Sequence, residues 1–270
     1  MTLGNLQYLC CDGILLRIPA LRAFPTARFA KVLLRNAALL SPHLRESDMP
    51  GYSVKTTTVK VGEHAYQIRS LSDKQQYADP QGLAELAGIS SASWSLFGQL
   101  WPAGQILANA MSVIPLKGRR ILEIGCGLGL SSLVLQRRAA DITASDHHPL
   151  ADSFLKHNAD LNFLKRPTYV DLSWNKPHAT LGRFDLIIGS DILYERDHAQ
   201  MLSELIIRHA NPAAEIITTD PGRGVSAAFS RAMLAQGFRI EETRCRFNDT
   251  DVSPFRGRLI SYLRTDKNER

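Results

Sequence analysis

The chain lacks any hydrophobic run of about 18–20 residues, the length needed to cross a bilayer. Its N-terminus also lacks the basic-then-apolar layout and the small-residue cleavage site of a secretory signal. Cysteine is scarce, and the four residues form no Cys-x-x-Cys pair and no zinc-type spacing: Cys10, Cys11, Cys126 and Cys245. We therefore predict reduced thiols, no membrane span and a cytoplasmic protein.

Positive charge is not concentrated along the chain. The 270 residues carry 32 Lys and Arg against 26 Asp and Glu, and residues 1–48 hold six against three. No dense Lys/Arg stripe with interleaved aromatic residues is present, so we expect no nucleic-acid partner. The apolar fraction of 44% is that of an ordinary globular protein.

Residues 1–48 form a predicted basic helical extension. The stretch 20–40 has a helical pattern with interspersed arginine and lysine, and Ser-Pro at 41–42 ends it. Three interpretations stay open. The extension is a packing or membrane-surface helix, an organelle presequence that would direct the protein to the mitochondrial matrix, or an untranslated segment with Met49 as the start.

Residues 49–93 are predicted to form a β-hairpin and a short helix. Two β-rich runs, 54–61 and 65–71, flank a Gly-containing turn. A short helix is expected over 80–88, and Ser91–Phe97 is predicted to be a loop. A longer helix begins at Pro102.

Residues 94–270 are predicted to form an α/β domain. After Gly118, short apolar strands alternate with helices of about 10–15 residues, which favours a parallel sheet covered on both faces. Strands are predicted near 121–124, 142–145, 168–170, 184–188 and 214–219. The last two strands, near 238–246 and 257–264, have no helix between them and are expected to pair antiparallel.

The strongest local motif is Glu123-Ile-Gly125-Cys126-Gly127-Leu-Gly129, at the end of the first of these strands. Glycines there let the backbone turn tightly and approach a ligand at a helix N-terminus. Asp146 ends the second strand, where an acidic residue can accept hydrogen bonds from ribose hydroxyls. The dinucleotide fingerprint is not present, because Leu130 stands at its third glycine. Glu123 suits a ligand that bears an ammonium and a sulfonium better than a phosphate.

This combination resembles the class I S-adenosylmethionine-dependent methyltransferases. The resemblance implies a Rossmann-like, seven-strand, mostly parallel sheet with helices on both faces and an antiparallel last strand. It also implies that the glycine loop holds the methionine part of S-adenosyl-L-methionine and that the acidic residue holds the ribose. Carried over to this chain, those cofactor-binding residues are Glu123, Gly125, Cys126, Gly127, Gly129 and Asp146.

Three further motifs are similar to those of the seven-strand D-x-x-Y protein lysine methyltransferases. They are Leu100-Trp101-Pro102-Ala103-Gly104-Gln105, Asp171-Leu-Ser-Trp174 and Ser190-Asp191-Ile-Leu-Tyr194. With Asp220-Pro-Gly-Arg223, they look most like the electron-transfer flavoprotein β-subunit lysine methyltransferase branch, over about residues 94–240. The resemblance implies cofactor contacts at Trp101, Asp171, Trp174 and Ser190, and catalytic roles for Asp191 and Tyr194.

These residues also have plainer interpretations. Asp171 and Asp191 fit caps of turns, and three aromatic residues fit packing or loop positions: Trp101, Trp174 and Tyr194. The adjacent His147 and His148 do not easily share one ion and have no further ligand cluster in the sequence, so we predict no metal.

Methyl transfer from a sulfonium is an in-line displacement, so the protein mainly aligns the reactants and excludes water. An attacking lysine must be neutral, and a nearby carboxylate raises its pKa. We therefore expect Asp191 to orient the incoming ammonium and Tyr194 to add a hydrogen bond or a π-face. The resemblance implies a protein substrate, and we expect a monomer. A small-molecule methyltransferase, a protein arginine methyltransferase and a non-catalytic S-adenosylmethionine-binding module stay open as alternatives.

Overall fold

The computed structural model describes residues 8–11, 14–17, 52–72, 78–116, 118–176, 178–222, 224–247 and 255–265. The chain divides into two compact units, Met1–Asp48 and Met49–Arg270. In the first unit, strands β1 (Tyr8–Cys11) and β2 (Ile14–Arg17) pair antiparallel, which the sequence patterns did not predict. The helix predicted over residues 20–40 lies outside the described residues.

A β-hairpin opens the second unit. Strand β3 (Val54–Val61) pairs antiparallel with β4 (His64–Leu71), and the turn between them passes through Gly62, which has a φ of +57°. Tyr66 and Ile68 on β4 are buried, and the exposed Gln67 lies between them. One face of the hairpin therefore packs on the rest of the unit.

Among the residues that the structure describes, three helices precede the main sheet: α1 (Leu83–Leu86), α2 (Ser91–Trp94) and α3 (Pro102–Val113). The prediction of a loop across Ser91–Phe97 was wrong, because α2 forms there. A helix of one turn is too short to show a hydrophobic period. Helix α3 begins at Pro102. Proline lacks a backbone N–H, but the first residues of a helix make no helical hydrogen bond through that group, so nothing is lost there.

The remaining chain forms one seven-strand sheet with helices α4–α7. The strands are β5 (Arg120–Ile124), β6 (Asp141–Asp146), β7 (Thr168–Asp171), β8 (Phe184–Ser190), β9 (Ala210–Asp220), β10 (Arg239–Phe247) and β11 (Phe255–Arg264). The helices are α4 (Leu130–Arg137), α5 (Ala151–Leu161), α6 (His198–His209) and α7 (Ser226–Ala235).

The strand order is β10-β11-β9-β8-β5-β6-β7. Strands β5 to β9 run parallel, while β11 lies between β9 and β10 and pairs antiparallel with both. The predicted Rossmann-like sheet with an antiparallel last strand is confirmed. Within the described part of the chain, no helix has the length and apolar character needed to span a membrane.

Side-chain alternation along the central strands divides the core between the two faces of the sheet. On β8, Leu186 and Ile188 join the cluster formed with the hairpin and α3–α5, while Ile187 joins the cluster formed with α6 and α7. These three side chains are at most 1% exposed. Burial of a side chain of this size stabilises the fold by about 1.5–3 kcal/mol.

Two asparagines fix the hairpin to α5. Asn158 Oδ1 accepts a hydrogen bond from Arg69 N at 2.7 Å, and its Nδ2 donates to Arg69 O at 3.2 Å. Asn162 makes the same pair of bonds with Gln67, at 2.9 and 2.8 Å. The two side-chain amides thus replace a neighbouring strand along the outer edge of β4.

The sheet places its ligand-binding edge at β5. Strands β6 and β8 lie on opposite sides of β5, so the direction of the strand order changes there. In parallel sheets, ligands bind outside the carboxyl ends of the strands at such a point. The glycine motif follows β5, Asp146 ends β6 and Asp191 follows β8, which brings three predicted site elements to one edge.

Candidate active site

A cleft of about 700 Å³ lies at this edge. Its lining contains every predicted site residue except Asp171: Trp101, Glu123, Gly125, Cys126, Gly127, Gly129, Asp146, Trp174, Ser190, Asp191 and Tyr194. The Asp171 side chain is 75% exposed and lies 3.1 Å from His147 Nδ1. The fold therefore collects all but one of these residues around a single cleft.

Two glycines of the loop have different surroundings. Gly129 has a φ of +81°, and a Cβ there would lie 2.2 Å from Leu155 Cδ1, so this glycine allows the loop to pack against α5. Gly127 has a φ of +52°, and a Cβ there would meet nothing within 4 Å. The absence of a side chain at Gly127 therefore leaves open space where a ligand can approach the backbone.

Asp146 ties the glycine loop to the end of β6. Its Oδ2 accepts a hydrogen bond from Gly127 N at 2.8 Å, and its Oδ1 accepts one from His148 N at 2.8 Å. Burial raises the pKa of Asp146, although these backbone hydrogen bonds oppose the shift. Each carboxylate oxygen keeps a further lone pair, so Asp146 can still accept hydrogen bonds from two adjacent hydroxyls.

Glu123 forms the buried floor of the cleft. The side chain is 3% exposed and accepts a hydrogen bond from the Ser132 hydroxyl. Burial raises the pKa of Glu123 to about 7, and Ser132 opposes the shift. A cationic ligand group beside this carboxyl would favour its ionised form, because the opposite charge offsets the cost of burial.

Cys126 is buried beside the same two carboxyl groups, Glu123 and Asp146. Burial and the negative charges of Asp146 and Glu123 raise the pKa of its thiol well above the ordinary value. The thiolate is the nucleophilic form of cysteine, so this residue is inert. Its backbone N–H donates to Ser145 O at 2.9 Å, which gives Cys126 a structural place in the loop.

Two tryptophans supply aromatic surface to the cleft. Trp101 precedes α3, donates from Nε1 to Leu96 O at 2.9 Å, and is 39% exposed, so it is not a core residue. The Trp174 ring lies edge-on to His198 with 5.0 Å between ring centroids. A Cβ on Gly125 would lie 3.8 Å from the Trp174 ring, which places that ring beside the glycine loop.

Asp191 occupies a sharp turn at the end of β8. Its φ is +50°, and its backbone N–H donates to Thr219 O at 2.9 Å, which ties the turn to the end of β9. Aspartate tolerates this left-handed conformation better than most residues. Asp191 therefore both forms the turn and lines the cleft.

Tyr194 lies in the cleft among three negatively charged side chains. Burial and the negative charges of Asp146, Glu195 and Asp191 raise the pKa of Tyr194 to about 12. The phenol is therefore neutral at physiological pH. The ring stands edge-on to His198, with 4.4 Å between centroids.

Sequence reasoning missed His198 and Ser93. The buried His198 lies against the rings of Trp174 and Tyr194, and its Nδ1 is 3.1 Å from Ile192 O. Ser93 on α2 donates to Glu195 Oε1 at 3.3 Å. Neither residue belongs to a motif, and Ser93 and Glu195 are 102 positions apart, so no local pattern could have revealed these contacts.

The two adjacent histidines considered as metal ligands make other contacts. His147 Nε2 lies 3.0 Å from Ala87 O, which links the end of β6 to the residue after α1. His148 stacks on Phe97 with 3.7 Å between centroids, and burial lowers the pKa of His148 to about 4. These contacts hold the segment between α1 and α3 against the cleft.

The structure does bring three potential metal ligands together elsewhere. Among the residues it describes, Glu195, Asp197 and His198 place one ligand atom each within 4.8 Å of one another. Both carboxylate residues are exposed, and exposed acidic groups are common on proteins that bind no ion. The absence of a metal stays a prediction.

The turn after β9 is held by an ion pair. Asp220 Oδ1 accepts a hydrogen bond from Gly222 N at 2.8 Å, and Asp220 Oδ2 accepts one from Arg258 at 2.6 Å. Asp220 is 3% exposed, so its carboxylate serves the turn. Arg223, the last residue of the motif, lies outside the described residues.

The sequence is similar to those of known lysine methyltransferases. The electron transfer flavoprotein beta subunit lysine methyltransferase of Rattus norvegicus is 30% identical over 145 residues, which cover 52% of this chain and 54% of that protein. The calmodulin-lysine N-methyltransferase of Arabidopsis thaliana is 28% identical over 138 residues, which cover 47% and 45%. The chain therefore spans about half the length of these relatives.

Among solved structures, the 16S rRNA N2 G1207 methyltransferase of T. thermophilus, in complex with AdoMet and guanosine, has a TM-score of 0.54 at 14% identity. The alignment covers 80% of this chain and 52% of that one, and it shows a shared fold. Residues 88–228, just over half of the chain, match the model of a family described as lysine methyltransferase. The chain therefore belongs to the lysine methyltransferase family.

Proposed function

We propose that this protein is an S-adenosylmethionine-dependent methyltransferase that N-methylates a lysine side chain of a protein substrate. The cleft at the carboxyl ends of β5, β6 and β8 carries the proposal, because it combines a glycine loop, the buried Glu123, the partly buried Asp146, and the Asp191 carboxylate near a neutral tyrosine. Membership of the family and the names of the two relatives support the lysine acceptor.

The residues present fit the proposed cofactor. Glu123 would hold its ammonium group, Asp146 its ribose hydroxyls, and the open backbone at Gly127 its methionine part. The rings of Trp101 and Trp174 offer apolar surface beside these groups. When bound, S-adenosylmethionine supplies a methyl group on a positively charged sulfur.

We assign acceptor binding to Asp191 and Tyr194. A carboxylate stabilises the charged form of a lysine, so Asp191 binds and orients the ammonium rather than removing its proton. The proton then leaves to water before attack. Tyr194 stays neutral and offers a hydroxyl oxygen and a π-face to the cationic amine. The wall of the cleft thus aligns the nitrogen, which is the main contribution a protein makes to such a displacement.

We further propose that the protein works as a monomer in the cytoplasm. Among the cysteines whose side chains the structure describes, Cys126 and Cys245 are free thiols, which supports a reducing compartment. Fractionation of cells that express the tagged chain tests the compartment. Recovery in the mitochondrial matrix would instead identify residues 1–48 as a presequence, and sedimentation equilibrium tests the monomer.

The experiment for the activity has two stages. Calorimetric titration with S-adenosylmethionine and with S-adenosylhomocysteine tests cofactor binding, and binding of neither contradicts the proposal. Incubation with methyl-labelled S-adenosylmethionine and a lysate, followed by mass spectrometry, then identifies the acceptor. A labelled lysine on a protein is the expected result. Label on arginine, or only on small molecules, would contradict the lysine acceptor and identify a different one. Binding of the cofactor without methyl transfer would indicate a non-catalytic module.

A further inference from the structure

A second, smaller cavity of about 320 Å³ lies on the sheet edge opposite the cleft. It opens at the amino ends of β8 and β9, between the segment before β8 and the end of α6. Every titratable residue in its lining is basic: His178, Arg183, Arg208 and His209. Among the described residues of the lining, none is a carboxylate.

Capping of α6 explains part of this cluster. The last carbonyls of a helix lack partners within the helix, and basic side chains commonly bind them. Arg183 Nη1 donates to Ala210 O at 2.5 Å and to Ile207 O at 3.4 Å, and His209 Nδ1 lies 2.8 Å from Gly182 O. These contacts account for Arg183 Nη1, which caps α6, and for His209 Nδ1, which bonds the segment before β8.

Three other nitrogens of the cluster are not explained by capping. Within the described part of the chain, His178 Nδ1, Arg208 Nε and His209 Nε2 are buried and have no hydrogen-bond partner. His209 itself is only 6% exposed. A buried polar group without a partner is costly, and such groups are few in folded proteins.

The charges of the cluster repel one another. Burial lowers the pKa of His209, and the positive charges of Arg208, His178 and Arg183 lower it further, against the effect of the Gly182 hydrogen bond. An oxyanion would offset this repulsion and would accept hydrogen bonds from Arg208 Nε and from His178 Nδ1 when that nitrogen carries the ring proton. His209 Nε2 donates only when its ring is protonated, because Nδ1 already donates to Gly182 O, and a bound anion favours that protonated form. Guanidinium groups bind phosphate and carboxylate with two parallel hydrogen bonds, and such charge-assisted bonds are among the strongest in proteins.

We propose that this basic cavity binds a phosphate group, either as free phosphate or as part of a small phosphorylated molecule. Its volume is at the lower end of the range of small-molecule pockets, roughly 300–1,000 Å³, which fits a phosphate with a small substituent. The site is separate from the methyl-transfer cleft and does not depend on the proposed activity.

The test is an NMR titration of the full ¹⁵N-labelled chain with inorganic phosphate and with glycerol 3-phosphate. Sodium chloride at equal ionic strength controls for general salt effects. Saturable shifts of the His178 and His209 ring signals are the expected result. Equal affinities would assign the site to free phosphate, and tighter binding of glycerol 3-phosphate would assign it to a phosphorylated molecule.

Two variants and a matched control locate the binding. Arg183→Gln and His178→Gln should each weaken phosphate binding about tenfold, the effect of losing a charge-assisted hydrogen bond. Arg231→Gln removes an arginine that is exposed on α7 and does not line the cavity, so it should bind as the wild type does. Arg208 is kept because its Nη2 also donates to Trp174 O in the cleft wall.

The His178→Gln variant keeps the proposal testable if Arg183→Gln weakens the cap of α6 and fails to fold. Shifts that chloride reproduces would overturn the proposal. Equal weakening in Arg231→Gln and in the cavity variants would also overturn it.

Discussion

Burial of Glu123 beneath the glycine loop couples cofactor binding to a proton. Its pKa is about 7 in the ligand-free protein, against an ordinary value of 4.5. An ammonium beside it would favour the ionised carboxylate. We therefore expect binding below pH 7 to release a proton, so that affinity rises with pH up to about pH 7 and falls again above about pH 8, where the ligand's α-amino group loses its own proton. Calorimetry in buffers of different ionisation enthalpy measures this release.

The control for this prediction is Glu123→Gln, which should bind the cofactor more weakly and without the pH dependence. The α-amino group of the ligand titrates near pH 8, at about 7.7–8.0, so it contributes little below pH 7. Identical pH profiles for the two proteins would show that Glu123 does not hold the ammonium. The raised pKa also implies that Glu123 lowers the stability of the ligand-free protein as pH rises from 4.5 to about 7.

Asp191 allows charge and backbone effects to be separated. Asparagine tolerates a φ of +50° as aspartate does, so Asp191→Asn removes the charge and keeps the turn. We expect kcat/KM for the protein acceptor to fall by about 10–100-fold, with cofactor affinity and Tm unchanged. Steady-state kinetics, calorimetry and thermal unfolding measure the three quantities.

The matched variant Asp191→Ala should lose the same activity and also about 1–2 kcal/mol of stability, because alanine is strained in the left-handed region. Normal turnover by Asp191→Asn with normal cofactor binding would leave Asp191 as a turn residue only.

At the scale of elements, the contact between the hairpin and α5 depends on polar groups as well as apolar burial. Asn158 is fully buried and bonds the N–H and carbonyl of Arg69 and also Leu128 O, at 3.0 Å. Asn158→Ala should lower the free energy of unfolding by about 1–3 kcal/mol, because these buried groups lose their partner. Urea unfolding followed by circular dichroism measures the change.

Thr58→Ala on the exposed face of the same hairpin is the comparison. The Thr58 hydroxyl bonds only the exposed Gln67 side chain among the contacts the structure gives it, and its loss should change stability by less than about 0.5 kcal/mol. Equal losses in the two variants would indicate that Asn158 does not anchor the hairpin.

Elements also differ in how far local patterns predict them. Strand β8 contains a short continuous run of buried apolar residues, which indicates a strand buried on both faces, and its predicted position, 184–188, lies within Phe184–Ser190. The single turn of α2 has no such period, and its Ser93 contact with Glu195 forms only after folding. Short elements held by distant partners are therefore the ones that sequence reasoning misses.

For the whole molecule, the division between Asp48 and Met49 makes a direct prediction. The unit Met49–Arg270 contains the core clusters on both faces of the sheet, the cleft and the complete seven-strand sheet. We expect a protein truncated to residues 49–270 to fold cooperatively and to bind S-adenosylmethionine with the affinity of the full chain. Circular dichroism melting and calorimetry measure this. Loss of folding or of binding would show that residues 1–48 are needed for the property that is lost.

The sequence by itself determined the parallel sheet, the antiparallel last strand and the glycine loop, because hydrophobic period and glycine turns act over a few residues. It also placed Asp146 and Asp191 at strand ends that meet at one edge. Only the tertiary structure decided the rest. Strand order and packing buried Glu123, placed His198 against two aromatic rings, and left Asp171 outside the cleft. These features arise between segments far apart in sequence, so no local pattern encodes them.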